Sequence, residues 1–132
     1  MKKTANRMMI VECNALIQSH LKKEVINETG CSSINQAYSY KEALYAFPHF
    51  WPDIVFLDAS LDDGNSMILL QIFKAIKPEV KVIVMENSPT DQFQKICRDS
   101  GASDFFEKSN FDQPLFWKQV KNQLLWDKIT KS

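Results

Sequence analysis

Residues 52–65, with the sequence PDIVFLDASLDDGN, decide the fold of this 132-residue chain. Four consecutive apolar residues, Ile54 to Leu57, are followed by Asp58 and then by a run of turn-forming residues. A strand that is apolar at every position must be covered on both faces, which is typical of the centre of a parallel sheet. The segment therefore predicts a buried central strand that ends in an ionisable residue.

Strand-like and helix-like segments alternate five times along the chain. The predicted strands cover residues 7–11, 32–36, 54–57, 81–85 and 104–107, and the predicted helices cover residues 14–28, 40–47, 66–77, 91–100 and 113–130. Asn14 and Gly30 are expected to cap the first helix, and Pro48 to end the second. Helical crossovers imply parallel strands with helices on both faces. The predicted fold class is α/β, a three-layer, doubly wound, five-stranded parallel sheet.

Composition and charge predict a single domain over residues 1–132. The chain has 16 Lys+Arg and 16 Asp+Glu, whereas a nucleic-acid or anionic-membrane binder needs an excess of basic residues. No apolar run approaches the ~20 residues that span a bilayer. Cys13, Cys31 and Cys97 form no CxxC pair and indicate neither a disulfide framework nor a zinc knuckle. We expect a reduced, cytoplasmic protein without direct nucleic-acid or membrane contacts.

Ionisable residues follow the predicted strands. In open α/β sheets, sites form beyond the carboxyl ends of the strands, where the strand order reverses. Glu12 and Cys13 follow the first predicted strand, Asp58 the third, Glu86 the fourth and Lys108 the fifth. We therefore expect these side chains to form one site at that edge of the sheet.

In this order and spacing, these residues resemble the receiver domain of bacterial response regulators. Residues 52–65 look like the segment around the family's phosphoacceptor aspartate, and residues 101–108, GASDFFEK, look like the segment that ends in its invariant lysine. The resemblance covers about residues 8–125 and implies a flavodoxin-like receiver fold with strand order 2-1-3-4-5. It also implies a phosphoprotein module of two-component phosphorelay signal transduction, and not an enzyme.

The resemblance implies a role for each matching residue. Asp58 corresponds to the phosphoacceptor, which takes a phosphoryl group from phosphohistidine in the presence of Mg²⁺, and Lys108 supplies a further positive charge. The metal would be held by Glu12, by Asp58 and by the carbonyl of Ser60. Phe105 occupies the position of the family's aromatic switch residue. The implied partner is a histidine kinase or a phosphotransfer protein.

Two departures from the family pattern predict an altered site. Cys13 replaces the carboxylate that contacts the metal directly, and because sulfur is a soft ligand for a hard cation, we expect weak Mg²⁺ binding. Glu86 replaces a small hydroxyl residue that binds the phosphoryl group. Repulsion between two unit charges ~4 Å apart amounts to ~4 kcal/mol at an effective dielectric near 20, so Glu86 should oppose phosphorylation. We expect Lys108 to pair with Asp58 or Glu86, and favour a Glu86–Lys108 contact.

The last predicted helix, about residues 113–130, is apolar on two sides. One side, with Phe116 and Val120, suits docking on the sheet, whereas Leu115, Trp126 and Ile129 lie elsewhere on the helix. The resemblance implies that this helix belongs to a surface for dimerisation and output contacts. We therefore expect an interface there, with a homodimer as one form of it.

Two alternative functions remain open at the level of sequence. A receiver that works by protein–protein contact without phosphorylation is favoured by Cys13 and Glu86. A flavodoxin-like small-molecule binder or hydrolase could use the same three-layer fold. Against the second alternative, no glycine-rich phosphate loop follows the first strand and no nucleophile–histidine pair is evident.

Overall fold

A computed structural model describes the backbone of residues 6–87, 90–110 and 113–131, and the side chains of these ranges except residues 110 and 123–131. Five strands form a parallel sheet: β1 (Arg7–Val11), β2 (Ser33–Ala37), β3 (Ile54–Asp58), β6 (Lys81–Glu86) and β7 (Asp104–Glu107). Two short strands, β4 (Ser60–Leu61) and β5 (Gly64–Asn65), form an antiparallel hairpin directly after β3.

The sheet has the strand order β2-β1-β3-β6-β7. With the short hairpin left out, this is the predicted order 2-1-3-4-5. Every residue of the central strand β3 is buried, as its unbroken apolar sequence predicts. The three-layer α/β prediction is therefore confirmed.

In the described part of the chain, the helices α1 (Ala15–Thr29), α2 (Tyr40–Phe50), α3 (Ser66–Ile76) and α4 (Asp91–Ser100) connect strands, and α5 (Pro114–Lys131) follows β7. The predicted caps of α1 are present: the Asn14 side chain accepts a hydrogen bond from the Ile17 N–H, and Gly30 adopts a left-handed conformation at φ 72°. Among the described residues, no helix has both the length and the apolar character that a bilayer crossing requires.

The predicted end of α2 is wrong. The helix continues past Pro48 to Phe50, and the chain turns at Trp51, which has a left-handed φ of 56°. Pro48 lies in the last turn, where its missing N–H removes a single helical hydrogen bond. The Trp51 N–H still donates to the Phe47 carbonyl at 2.8 Å, and the fully buried Phe47 ring anchors this turn.

Two apolar layers lie on opposite faces of the sheet. One layer packs α2, α3 and α4 against the sheet, with Phe47 and Phe73 among its largest side chains. The other layer packs α1 and α5, where Phe116 and Val120 are buried as predicted and Trp117 joins them. Burying both faces leaves the carboxyl-end edge of the sheet as the place where polar side chains gather.

Candidate functional site

The sheet brings the ionisable strand-end residues to one edge. Because the strands are parallel, their carboxyl ends lie side by side: Val11 pairs with Leu57, and Asp58 pairs with Met85. Glu12 directly follows β1, and Lys108 directly follows β7. The chain topology thus places three charged side chains from distant parts of the sequence at the end of the central strand.

Lys108 joins two buried carboxylates. Its Nζ lies 2.7 Å from Glu12 Oε1 and 3.1 Å from Asp58 Oδ2. The Glu12 side chain is fully buried and that of Asp58 is 2% exposed, so solvent screens these interactions little. The expected ion pair between Lys108 and Asp58 is present, and Glu12 is a second and shorter partner.

Backbone N–H groups fix the orientation of both carboxylates. Glu12 Oε2 accepts a hydrogen bond from the Asn14 N–H at 3.0 Å, and Asp58 Oδ1 accepts one from the Ser60 N–H at 3.0 Å. The Ser66 hydroxyl donates to the backbone carbonyl of Asp58 at 2.6 Å. Each carboxylate therefore has one oxygen directed to Lys108 and the other to the backbone.

Burial and charge act against each other at these groups. Burial raises the pKa of Asp58 and the nearby Glu12 charge adds to this effect, while the Ser60 N–H and Lys108 oppose it. Burial by itself would lower the pKa of Lys108, but its contacts with Glu12 and Asp58 outweigh that effect and raise it. Lys108 consequently stays protonated, and its positive charge compensates one of the two buried negative charges.

The half-buried Cys13 thiol completes this cluster. Potential ligand atoms of Glu12, Cys13 and Asp58 all lie within 4.8 Å of one another. Burial raises the pKa of Cys13, and the charges of Asp62, Glu12 and Asp58 raise it further, so the thiol stays protonated.

These residues fit a Mg²⁺ ion poorly. The acidic cluster supplies two carboxylates, Glu12 and Asp58, and Lys108 already takes one oxygen of each. The third group is a protonated sulfur, where Mg²⁺ would require a hard oxygen ligand. This donor set therefore favours only weak binding of Mg²⁺.

The favoured contact between Glu86 and Lys108 is wrong. Glu86 Oε1 instead accepts a hydrogen bond from the Asn87 N–H at 2.7 Å, and the Lys108 ammonium lies between Glu12 and Asp58. These two carboxylates are more deeply buried than Glu86, so they gain more from charge compensation. Glu86 still acts on its surroundings: burial raises the pKa of Cys97 to about 11, with the Glu86 charge contributing.

The remaining predicted residues have different environments. Phe105 is half-buried and makes an edge contact with Phe93 of α4, with ring centroids 5.6 Å apart. Leu115 is 63% exposed at the start of α5. The side chains of Trp126 and Ile129 lie outside the described residues.

Sequence reasoning missed Gln18, which organises the end of β1. The buried Gln18 amide nitrogen lies 3.1 Å from the Ile10 carbonyl, 3.2 Å from that of Glu12 and 3.0 Å from that of Ala37. It therefore connects α1 to the ends of β1 and β2, at the backbone carbonyl of Glu12. A lone glutamine belongs to no motif, and its place three residues before the buried Leu21 is the signal that could have found it.

Comparisons with known proteins agree with this geometry. The family model described as the response regulator receiver domain matches residues 8–120. The chain is 29% identical over 127 residues to protein-glutamate methylesterase/protein-glutamine glutaminase 3 of Rhodospirillum rubrum, covering 94% of this chain and 33% of that protein. It is 28% identical over 102 residues to the transcriptional regulatory protein PhoP of Escherichia coli, covering 77% of this chain and 45% of PhoP. The chain thus spans less than half of either relative.

Solved structures share the fold at low sequence identity. The signal receiver domain of a DNA binding response regulator from Colwellia psychrerythraea superposes with a TM-score of 0.82 at 21% identity, covering 92% of this chain and 98% of that one. A CheY-like receiver domain protein from Methanospirillum hungatei superposes with a TM-score of 0.78 at 16% identity, covering 98% of this chain and 100% of that one.

Proposed function

The chain belongs to the response regulator receiver domain family of two-component signalling, and from this membership we propose that Asp58 is its phosphoacceptor and is phosphorylated slowly. The observation that supports this role most directly is the position of the Asp58 carboxylate. It ends the central strand, with one oxygen 3.0 Å from the Ser60 nitrogen and the other 3.1 Å from the Lys108 ammonium. The carboxylate is thereby oriented beside a cation.

The proposed reaction uses the carboxylate as the nucleophile. A carboxylate oxygen of Asp58 attacks the phosphorus of a phosphohistidine, the bond from phosphorus to the imidazole nitrogen breaks, and an acyl phosphate forms. The freed imidazole keeps the bonding electron pair. Lys108, 3.1 Å from the carboxylate, would balance part of the charge that arrives with the phosphoryl group.

Charge imbalance makes the proposed transfer slow. Glu12 and Asp58 together carry two negative charges beside the single positive charge of Lys108, and a phosphoryl group adds nearly two more negative charges. The thiol of Cys13 adds no charge and no hard ligand, so we propose that Mg²⁺ binds weakly at Glu12, Asp58 and the Ser60 carbonyl. Glu86, half-buried at the end of β6, would add further repulsion.

Intact-mass analysis after incubation with acetyl phosphate and Mg²⁺ tests the proposal. We expect a slowly formed one-phosphate adduct that is absent from Asp58→Asn and retained in Asp99→Asn, a matched control whose side chain is 65% exposed. Cys13→Asp should speed adduct formation about tenfold or more, which corresponds to about 1.4 kcal/mol of activation free energy. An adduct that persists in Asp58→Asn would assign the phosphate to another residue and overturn the proposal.

A receiver that works without phosphorylation is the second candidate, and the deep burial of the site favours it. The Asp58 side chain is only 2% exposed, and Lys108 already compensates its charge. In this case neither the wild type nor Cys13→Asp would form an adduct. A flavodoxin-like small-molecule binder has less support, because the family match covers most of the chain.

We further propose a histidine kinase or a phosphotransfer protein as the partner, and a contact surface on α5 around the exposed Leu115, with a homodimer as one form of it. Residues 1–132 would act as one receiver domain. The unpaired state of all three cysteines supports a cytoplasmic location. We propose no catalytic activity for the chain itself, since the methylesterase named above is a protein of which it spans 33%.

A further inference from the structure

Helices α2 and α3 expose large apolar side chains away from the candidate site. On α2 and directly after it, Leu44 is 36%, Tyr45 74% and Trp51 43% exposed. On α3, Ile68 is 50% and Ile76 38% exposed, and Ile72 between them is half-buried. We call these six residues the α2–α3 face.

The two rows of side chains are neighbours. The Phe47 and Phe73 rings stack at 4.2 Å, which places α2 directly beside α3. Trp51 lies next to the end of α3, since its ring is 5.1 Å from the Lys77 ammonium. Leu44 lies three residues before Phe47 within α2, so it is a neighbour of the side chain that stacks on α3. Leu44 and Trp51 thus adjoin α3, whereas the 74% exposed Tyr45 lies further round α2, with its ring 5.0 Å from that of His49.

The row on α3 is directed towards α2. The opposite flank of α3 contacts α4, because Gln71 donates a hydrogen bond to the Ser100 hydroxyl and the Lys74 side chain packs beside Gly101. Ile68, Ile72 and Ile76 are spaced four residues apart and lie on the flank away from these contacts. The exposed rows of the two helices therefore adjoin and form one surface.

This surface carries almost no charge of its own. The only ionisable residue within α3 is Lys74, and its ammonium is directed to the carbonyl oxygens of Pro78 and Val80, at 2.7 and 2.8 Å. At the start of α2, the exposed Lys41 and Glu42 have opposite signs. A covering surface therefore needs no net charge.

We infer that the α2–α3 face is an interface between two copies of this chain. Taking roughly 200 Å² for a fully exposed large apolar residue, Leu44, Tyr45, Trp51, Ile68 and Ile76 together expose about 500 Å². A stable dimer buries about 800 Å² per partner, of which roughly 60% is apolar. The exposed apolar area thus matches the apolar share of such an interface. The six residues carry no formal charge, and the Lys77 ammonium beside Trp51 is paired with Asp53 at 3.2 Å, so a second identical face meets this one without charge repulsion.

Sedimentation equilibrium over a range of protein concentrations, with circular dichroism as a check on folding, tests this inference. We expect the wild type to dimerise and both Ile68→Lys and Tyr45→Lys to weaken the dimer at least tenfold, because each places a charge in the interface. Both side chains are at least half exposed, so the changes should leave the fold intact. Leu16→Lys is the matched control, since Leu16 is 83% exposed on α1, across the sheet.

Three outcomes would overturn the inference. The first is a wild type that stays monomeric at high concentration. The second is a dimer that neither Ile68→Lys nor Tyr45→Lys weakens. The third is a dimer that only Leu115→Lys disrupts, which would assign self-association to α5. The phosphorylation assay is independent of all three outcomes, so failure of this inference leaves the proposed role of Asp58 untouched.

Discussion

Lys108 is the residue on which the ionised state of the site depends. Its ammonium contacts Glu12 at 2.7 Å and Asp58 at 3.1 Å, and both carboxylate side chains are at most 2% exposed. Removing one member of a buried ion pair typically costs about 3–5 kcal/mol, because the remaining charge is left without compensation. An exposed pair contributes only about 0–1 kcal/mol. Burial thus makes Lys108 far more important than most surface lysines.

We predict that Lys108→Met lowers the free energy of unfolding by about 3 kcal/mol at neutral pH. The loss should shrink as the pH falls, because protonation of Asp58 removes an uncompensated charge. The raised pKa of Asp58 in the wild type agrees with this direction, since burial already favours its protonated form. Urea unfolding at several pH values measures the effect.

Lys95→Met is the matched control for this prediction. Lys95 pairs with Asp99 at 2.9 Å, but the two side chains are 77% and 65% exposed. Its loss should change the free energy of unfolding far less than the loss of Lys108 does, at any pH. A Lys108→Met variant as stable as Lys95→Met at neutral pH would contradict the claim that Lys108 compensates the buried charges of Glu12 and Asp58.

The site could be predicted from the sequence as far as topology determines it. Strand ends of a parallel sheet must converge, and this alone predicts that Asp58 and Lys108 lie together. Lys108 pairs with Glu12 and not with Glu86 because the Glu12 carboxylate is the more deeply buried of the two. Glu12 is fully buried whereas Glu86 is half-buried, and this difference depends on tertiary packing, which the sequence around either residue does not contain.

At the scale of elements, the hairpin β4–β5 links the end of β3 to the start of α2 through hydrogen bonds. The Asp63 carboxylate accepts hydrogen bonds from the Tyr40 N–H at 2.8 Å and from the Lys41 N–H at 3.1 Å. These N–H groups at the start of α2 lower the pKa of Asp63 by stabilising its charged form. The sequence indicated only a turn over residues 61–65, because the partner of Asp63 lies 23 residues away.

Gly64 is required in this hairpin for steric reasons. A Cβ atom at this position would lie 2.4 Å from Cδ2 and Cγ of the Tyr40 ring. We predict that Gly64→Ala lowers the free energy of unfolding by about 1–3 kcal/mol through overpacking. The double variant Gly64→Ala/Tyr40→Ala should remove most of the extra cost relative to Tyr40→Ala alone. Thermal unfolding of the four proteins forms the required cycle.

Gly30 is a control in which substitution is costly for a different reason. Its φ is 72°, and a Cβ atom there would meet nothing within 4 Å, so Gly30→Ala should cost about 1–2 kcal/mol from backbone strain alone. Tyr40→Ala should not relieve that cost. If Tyr40→Ala rescued Gly30→Ala as well as Gly64→Ala, or rescued neither, the steric account of Gly64 would fail.

Element boundaries were predictable where local chemistry decides them. The helix α4 (Asp91–Ser100) has its predicted bounds, since Thr90 caps its start and the left-handed Gly101 ends it. The end of α2 was not predictable in the same way, because burial of Phe47 outweighs the hydrogen bond lost at Pro48. Tertiary packing, which a local pattern does not contain, determines that boundary.

At the scale of the whole molecule, the sheet divides the apolar interior into two parts. Phe47 and Phe73 stack on one side of it, with parallel rings 4.2 Å apart. Phe116 packs on the other side, against Phe106 at 4.4 Å and Trp117 at 4.8 Å. Contacts within a layer are direct, whereas contacts between layers pass through the buried strands.

This separation predicts which pairs of substitutions are additive. Phe73→Leu and Phe116→Leu lie in different layers, so their losses of unfolding free energy should add within about 0.5 kcal/mol. Phe47→Leu and Phe73→Leu remove the same stacked contact and should deviate from additivity by more than about 0.5 kcal/mol. Urea unfolding of the single and double variants measures both values. A strong coupling between Phe73 and Phe116 would mean that the sheet transmits packing changes between its faces, and the two layers would then have to be treated as one core.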